Sequence, residues 1–406
     1  MSIGNMGDLG ANLKTVYDKE TVENLANTEA VTFSKLKRDS SPVLAGSNYV
    51  FGVEDGLNYG SVASINELES LPSYQATPVK NGSIARVRTA ARVMLSGDVI
   101  ESAKQGGTNA MFMNEVTRAY DNAIKAAAKL KNQEVFRDGK GTLAVVNGAV
   151  SASATIAYDG GIPTHLQPNM IVDIYNGSTL QAGNVKILSN DLVSSITVDR
   201  NVTVADNAVI KIQKAGDNAP TNGKDIIGLP LITDATTTYE GIDRTGGSAV
   251  QGWKGLTIDA SGVSISDALL RKILAQATLW LGTKGKLKIL SNEHQNLKYI
   301  ATTLPQVQFN SNGGQMSNRD TGVAQLTWNG MAWDIDTDCG YGDLYFINYD
   351  EVKVKEETPF AFTGMNPVSG FDAKDDYAIW RGAVFCKNPK KGALRIKNLA
   401  FADVVF

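Results

Sequence analysis

The feature that most constrains this chain is one unbroken amphipathic run, MFMNEVTRAYDNAIKAAAKLKNQEVF, from Met111 to Phe136. Phe112, Val116, Ala119, Tyr120, Ala123, Ala127 and Leu130 recur at steps of three and four, which puts them on one stripe of a helix. Asn114, Arg118, Asp121, Lys125 and Lys129 fall mostly on the other side and predict a solvated face. Thr108 or Asn109 is placed to cap the start, and Gly139 and Gly141 to stop the end. At about 1.5 Å per residue, roughly 27 residues span about 40 Å. A helix of that length acts as a beam from which other parts hang.

On the N-terminal side, residues 1 to about 47 are polar and broken in pattern, with short helices expected around Leu13–Tyr17 and Val22–Ala26. Two readings stand side by side: a helical terminus docked on its own domain, or an arm packed on a neighbouring subunit. Tyr49 to Val93 reads as a long two-stranded excursion with a polar tip around Leu71, Pro72, Ser73 and Tyr74. Its return leg, SIARVRTAARVML, sets apolar Ile84, Val87 and Val93 against cationic Arg86, Arg88 and Arg92. A hairpin this long cannot bury both faces against its own domain and needs a partner surface.

After the beam the character changes. Short β-branched strands separated by Gly, Asn and Asp turns run from Leu143 to Gln213 and predict a small all-β module, a sandwich or a barrel. A loop-like stretch follows. SDALLRKILAQATLWLG then forms a second amphipathic helix capped by Ser266, and GKLKILSNEHQNLKYIATTL a strand followed by a helix from near Ser291. Alternating strands complete the chain. The class is α+β.

Composition narrows the function. At 406 residues and 43% hydrophobic content the chain can bury two or three cores rather than remain disordered. A net charge of −3 argues against a dedicated nucleic-acid binder. No apolar run approaches the roughly 20 residues of a membrane helix, and MSIGNMGDLG lacks a signal-peptide core, so a soluble, intracellular product is expected. Cys339 and Cys386 form no CxxC pair, which supports neither a zinc site nor a disulfide.

A catalytic reading finds little. His165 and His294 lack metal-binding spacing, and the GxSxG elbow and the phosphate-binding GxxxxGK[ST] loop are missing. Asp334, Asp336 and Asp338 alternate in WDIDTDCG without the glycine and glutamate of a calcium loop, and predict a solvated strand edge. No catalytic, cofactor or metal residue is assigned, and no enzyme is expected.

The order of parts resembles the major capsid protein of tailed bacteriophages, the Hong Kong 97-type fold shared with encapsulin shells. The resemblance rests on LKTVYDKETVENLANTEAVTF, the excursion through NELESLPSYQ, the junction MLSGDVIESAKQGG, the exit RDGKGTLA and the β-rich stretch beyond it. It implies an N-arm over 1–48, an E-loop over 49–93, and a spine helix with peripheral domain over 94–142. An inserted β-module over 143–215, an axial domain over 216–340 and peripheral return strands over 341–406 complete the layout. It implies a virion capsid assembled in the host cytoplasm as pentamers and hexamers around double-stranded DNA, which is touched non-specifically. Partners would be further copies of the chain, scaffolding and portal proteins and a decoration protein, with no cofactor and no membrane. Because the arm begins almost at Met1, a separate scaffolding protein or none is expected. Inter-subunit contacts are expected at Lys80, Arg86, Arg88, Arg92, Glu351 and Glu356, the arginines seeking Asp350, Glu351, Glu356 or Glu357. A Lys–Asn cross-link, for which Lys80 and Asn388 are the conceivable partners, is not expected. Two alternatives remain: an encapsulin-like shell, and a phage adhesin or tail protein with a glycan-binding β-module. The adhesin should show repeats or heptads, which the sequence lacks.

Overall fold

A computed structural model describes residues 30–39, 44–45, 48–54, 59–74, 76, 79–98, 100, 110–213, 225–245, 253–281, 286–303 and 327–401. The expected helices before residue 30 and the caps Thr108 and Asn109 lie outside these residues. In chain order, α1 (Val31–Lys35) leads to β1 (Lys37–Asp39), β2 (Leu44–Ala45), β3 (Asn48–Glu54), β4 (Val79–Ala85) and β5 (Val87–Ser96), then to α2 (Ala110–Val135). Next come β6 (Thr142–Val146), β7 (Val150–Asp159), β8 (Ile171–Asn176), β9 (Thr179–Asn190), β10 (Ser195–Val204) and β11 (Val209–Ile212). They are followed by α3 (Leu229–Thr233), β12 (Leu256–Asp259), α4 (Asp267–Leu281), β13 (Lys288–Ser291), α5 (Glu293–Thr303), β14 (Thr327–Trp328) and β15 (Met331–Ile335). The chain closes with β16 (Leu344–Ile347), β17 (Val352–Thr358), β18 (Asn366–Pro367), β19 (Ala373–Cys386), α6 (Pro389–Gly392) and β20 (Ala393–Lys397).

The long helix α2 has two unlike halves. Around its middle, Ala119, Tyr120 and Ala123 lie on Val93, Leu95 and Ile100, while Thr117, Asp121 and Ile124 face solvent. The Tyr120 hydroxyl donates to Asp376 on β19 at 3.0 Å. Towards its end the helix is enclosed: Lys129, Lys131, Asn132, Gln133, Glu134 and Val135 are all buried. The amphipathic stripe therefore describes the middle of the helix and not its end. Lys129, expected on the solvated face, is buried and paired with Asp338 at 2.8 Å. Left-handed glycines, Gly139 at φ +82° and Gly141 at φ +73°, follow the last turn.

The aspartates also depart from expectation. Asp334, Asp336 and Asp338 are 4%, 1% and 0% exposed, because α1 and the end of α2 pack over this edge and supply donors. Asp336 accepts from Thr32 N at 3.0 Å, Thr32 Oγ1 at 2.5 Å and Asn132 Nδ2 at 3.0 Å. Asp338 accepts from Asn132 Nδ2 at 2.6 Å, and Asp334 pairs with Lys35 at 2.9 Å. Buried carboxylates survive only when so satisfied. The alternation that reads as a wet edge is a polar joint between the N-terminal segment, the helix and a sheet.

One sheet gathers β1, β17, β19 and β18, with β5 paired to β19 over ten residues, Val87–Ser96 against Ala373–Gly382. A six-stranded sheet runs β12-β20-β16-β13-β15-β14. Leu287, Ile289, Trp333, Phe346, Leu394 and Ile396 from it pack against Leu270, Ile273, Leu274 and Ala277 of α4. Because β16 and β20 join this sheet, the division expected at residue 340 cuts through one unit: β17 to β19 go with the long helix, whereas β16 and β20 return to the six-stranded sheet. The Ser266 hydroxyl caps α4 by accepting from Leu269 N at 3.3 Å.

The β-rich stretch closes into a barrel in the order β10-β7-β6-β11-β8-β9, around a core that includes Ile156, Ile174, Val185, Ile187, Ile196 and Ile210. The chain leaves and re-enters the body at adjacent points: Asp138 bridges Ile227, and Gly228 N donates to Arg137 O at 3.1 Å. Arg137 and Asp225 form a buried pair there at 2.9 Å. A second fastening lies at 163–165. Thr164 Oγ1 donates to Thr337 O at 3.1 Å, and the buried His165 Nε2–H to Asp338 O at 3.0 Å. Burial holds the His165 ring well below the ordinary histidine range, so it is a neutral strut.

Candidate subunit interface

Strands β3 and β4 pair antiparallel from Asn48↔Ala85 to Glu54↔Val79, forming a ribbon whose base is anchored and whose tip is bare. At the base, Tyr49 and Ile84 are 0% and 2% exposed and pack with Phe51, Ala383 and Phe385. The Lys355 ammonium lies 4.2 Å from the Phe385 ring centroid, a cation over an aromatic face. Ser83 N donates to the Glu240 carbonyl at 2.7 Å, which ties the ribbon to the turn at 239–242.

The tip is the opposite. Residues 62–71, 73 and 74 are all exposed. The exposed side chains include Tyr59 at 75%, Val62 at 73%, Leu68 at 102%, Leu71 at 80% and Tyr74 at 83%. With Ile65, large apolar residues occupy every third position from 59 to 74. The tip, expected to be polar, thus carries a regular apolar row, whose three-residue spacing matches neither the strand period of 2 nor the helical period of 3.6. Interspersed Glu67 and Glu69 make the tip acidic, and Glu69 accepts from Asn66 N at 2.8 Å to shape its turn. Scattered apolar side chains on a surface are ordinary, whereas six large ones exposed within one short segment make it a candidate contact surface.

The return leg divides at Arg86. Up to Ala85 it belongs to the ribbon; from Val87 it is part of the β19 sheet. One face of that sheet is covered by α2 through Val93 and Leu95. The other carries Arg88 opposite Arg381, Ala90 opposite Ile379 and Arg92 opposite Tyr377. Two arginines directly opposed in a ladder repel each other. Arg381 reaches Thr358 Oγ1 at 3.4 Å, and among the described residues Arg88 has no carboxylate partner.

Three of the other expected contact residues, Arg86, Arg92 and Glu356, pair within the chain. Arg86 pairs with Glu357 at 2.6 Å and Arg92 with Asp375 at 2.7 Å. Glu356 accepts from Trp380 Nε1 at 2.7 Å and pairs with Arg38 at 3.4 Å. Lys80 sits half-exposed on β4, close enough to Asp243 to add to the Thr245 hydrogen bonds that hold that carboxyl low. Glu351 is half-buried in the turn before β17, and Asn388 precedes α6 on the body. Among the described residues no cluster of three or more His, Cys, Asp or Glu could hold a metal, and no helix is long and apolar enough to cross a membrane.

No protein-family model and no curated protein matches the chain. Solved structures do. A chain of the Cyanophage A-1(L) capsid asymmetric unit aligns with a TM-score of 0.57 at 11% identity, covering 96% of this chain and 99% of that one. A chain of the holo-encapsulin complex from Synechococcus elongatus PCC 7942 aligns with a TM-score of 0.51 at 6% identity, covering 100% and 99%. At such identities the likeness is one of fold: this chain has the α+β fold of those capsid and encapsulin chains.

Proposed function

We propose that the chain is the major capsid protein of a tailed bacteriophage, a structural protein that self-assembles into the pentamers and hexamers of an icosahedral head around double-stranded DNA. The observation that carries the reading is the bare tip. A ribbon firmly anchored at its base presents a row of apolar side chains that its own body does not cover. At roughly 25 cal/mol per Å² of apolar surface, covering that row is a large gain open only to a second molecule. The partner is another copy: the acidic, apolar tip complements the uncovered sheet face bearing Arg88, Arg381, Arg92, Ile379 and Tyr377. In this reading the ribbon is the E-loop and α2 the spine. The contacts expected at Lys80, Arg86, Arg88, Arg92, Glu351 and Glu356 set register more than stability, since exposed ion pairs contribute about 0–1 kcal/mol. Heterologous contacts repeated around a ring close into capsomers and shells. Scaffolding and portal proteins and a decoration protein seated on the barrel are the further partners.

The test replaces residues 62–74 by a flexible Gly-Ser segment. The expected product is a folded, soluble subunit that forms no shells under electron microscopy; normal particles would refute the reading. What native particles enclose, DNA or a protein cargo, separates a virion from an encapsulin-like compartment.

A further inference from the structure

The last turn of α1, the start of β13 and the turn after β16 border an open cleft of about 340 Å³, lined by Lys35, Lys286, Lys288, Asn348, Tyr349 and Asp350. Its charge runs against that of the chain. Two residues complete its ion pairs: Asp334, 2.9 Å from Lys35, and Lys37, bonded to Asp350. Lys286 also reaches Asp350, at 3.1 Å. Four lysines (35, 37, 286 and 288) thus face two aspartates (334 and 350), 4 − 2 = +2, in a protein whose net charge is −3.

The surplus is localised. Both aspartates are engaged, whereas among the described residues Lys288 has no carboxylate partner and lies 5.6 Å from the Tyr349 ring centroid. The Tyr349 hydroxyl donates to Asp334 at 3.3 Å. The side-chain oxygen of the buried Asn348 accepts from Asp350 N at 3.0 Å, which leaves its NH₂ as a neutral donor at the wall. Converging ammonium groups repel one another unless an anion sits between them. Lysine serves phosphate as a compact point charge with several donors. A cleft of this volume has room for a phosphate group with its hydration.

From this we infer that the cleft is a binding site for a phosphate-bearing anion, with Lys288 as its principal cation and Asn348 as a neutral donor. The phosphates come either from a free polyphosphate or from a nucleic-acid backbone. The site does not depend on how subunits meet.

The full-length protein is titrated calorimetrically with inorganic tripolyphosphate and, separately, with a short DNA duplex, at low and at raised salt. Lys288→Gln is expected to weaken binding about tenfold, the loss of one charge-assisted contact. Asp350→Asn is expected to tighten it, an opposite sign that simple damage to the fold would not give. Tripolyphosphate binding that follows both substitutions assigns a free polyphosphate. The same pattern with duplex alone, weakening steeply with salt, assigns a nucleic-acid backbone. Binding of neither probe, or binding indifferent to both substitutions while melting temperatures are unchanged, overturns the inference. Electron microscopy of Lys288→Gln particles keeps this outcome separate from that of shell assembly.

Discussion

Glu240 shows how one residue ties the ribbon to the body. It adopts a left-handed backbone at φ +54°, its carbonyl receives the ribbon's Ser83 N–H at 2.7 Å, and its carboxyl is buried near Tyr239, Cys386, Arg244 and Lys355. Burial pushes that carboxyl up to about 8, against the pull of Tyr239, Cys386, Arg244 and Lys355. The folded state thus holds a proton that the unfolded chain releases near 4.5. The resulting stability is complete below that lower value, declines between the two, and is lost as pH rises through about 8. The melting temperature is expected to fall between neutral and mildly alkaline pH, and Glu240→Gln to flatten that fall. A melting profile equally steep in the variant would show that another group is responsible. Nothing in the spacing around Glu240 announces this, nor the burial of Asp334, Asp336 and Asp338. The partners of Asp336, Thr32 and Asn132, lie 304 and 204 residues away, and a local pattern carries no trace of donors so distant.

Among the elements, the ribbon depends on a cross-strand pair in which an aromatic side chain lies over a glycine. Phe51 faces Gly82 in register, and its ring packs 4.8 Å from Phe385 and 5.9 Å from Trp253. A Cβ at Gly82 would lie 2.3 Å from the Phe51 ring. Gly82→Ala is therefore expected to displace the ring and cost about 1–3 kcal/mol, the range for overpacking, as measured by denaturant unfolding. An unchanged midpoint would mean that the ring moves aside freely. The long helix and the barrel strands were legible because periods of 3.6 and 2 are local properties. The division at Arg86 was not. Both legs alternate alike, and only the ten-residue ladder to β19 shows that Val87–Ser96 belongs to a different sheet. The parallel pairing of β1 with β17 was equally hidden, since Lys37 and Lys353 are distant in sequence and neither is apolar.

At the scale of the molecule, the three largest cores among the described residues are the barrel, one face of the six-stranded sheet with its helices, and the cluster around Phe136, Trp253, Tyr345 and Trp380, to which that sheet also contributes Leu290, Tyr345 and Ile347. The barrel fills its interior with its own aliphatic residues and meets the body at its root and through Thr164 and His165. Excising residues 142–224 behind a short glycine linker is expected to leave a soluble body that still unfolds cooperatively, as followed by calorimetry. Loss of cooperative unfolding would mean that the body leans on the barrel. The β-rich texture of residues 143–213 could be read in advance, because short alternating strands and Gly, Asn and Asp turns are local features. The interleaving of β16, β17, β19 and β20 between two sheets could not, since all four read simply as strands.

The hydrogen-bonded neighbours Asp138 and Ile227 give the barrel's root a meaning beyond stability. Because the two ends meet there, the segment between them can change in length without moving the strands of the body, provided the contacts of Thr164 and His165 are kept. Evolutionary novelty in such a polypeptide should arrive there as whole cassettes, and an engineer seeking a place to mount a foreign domain would begin at the same spot.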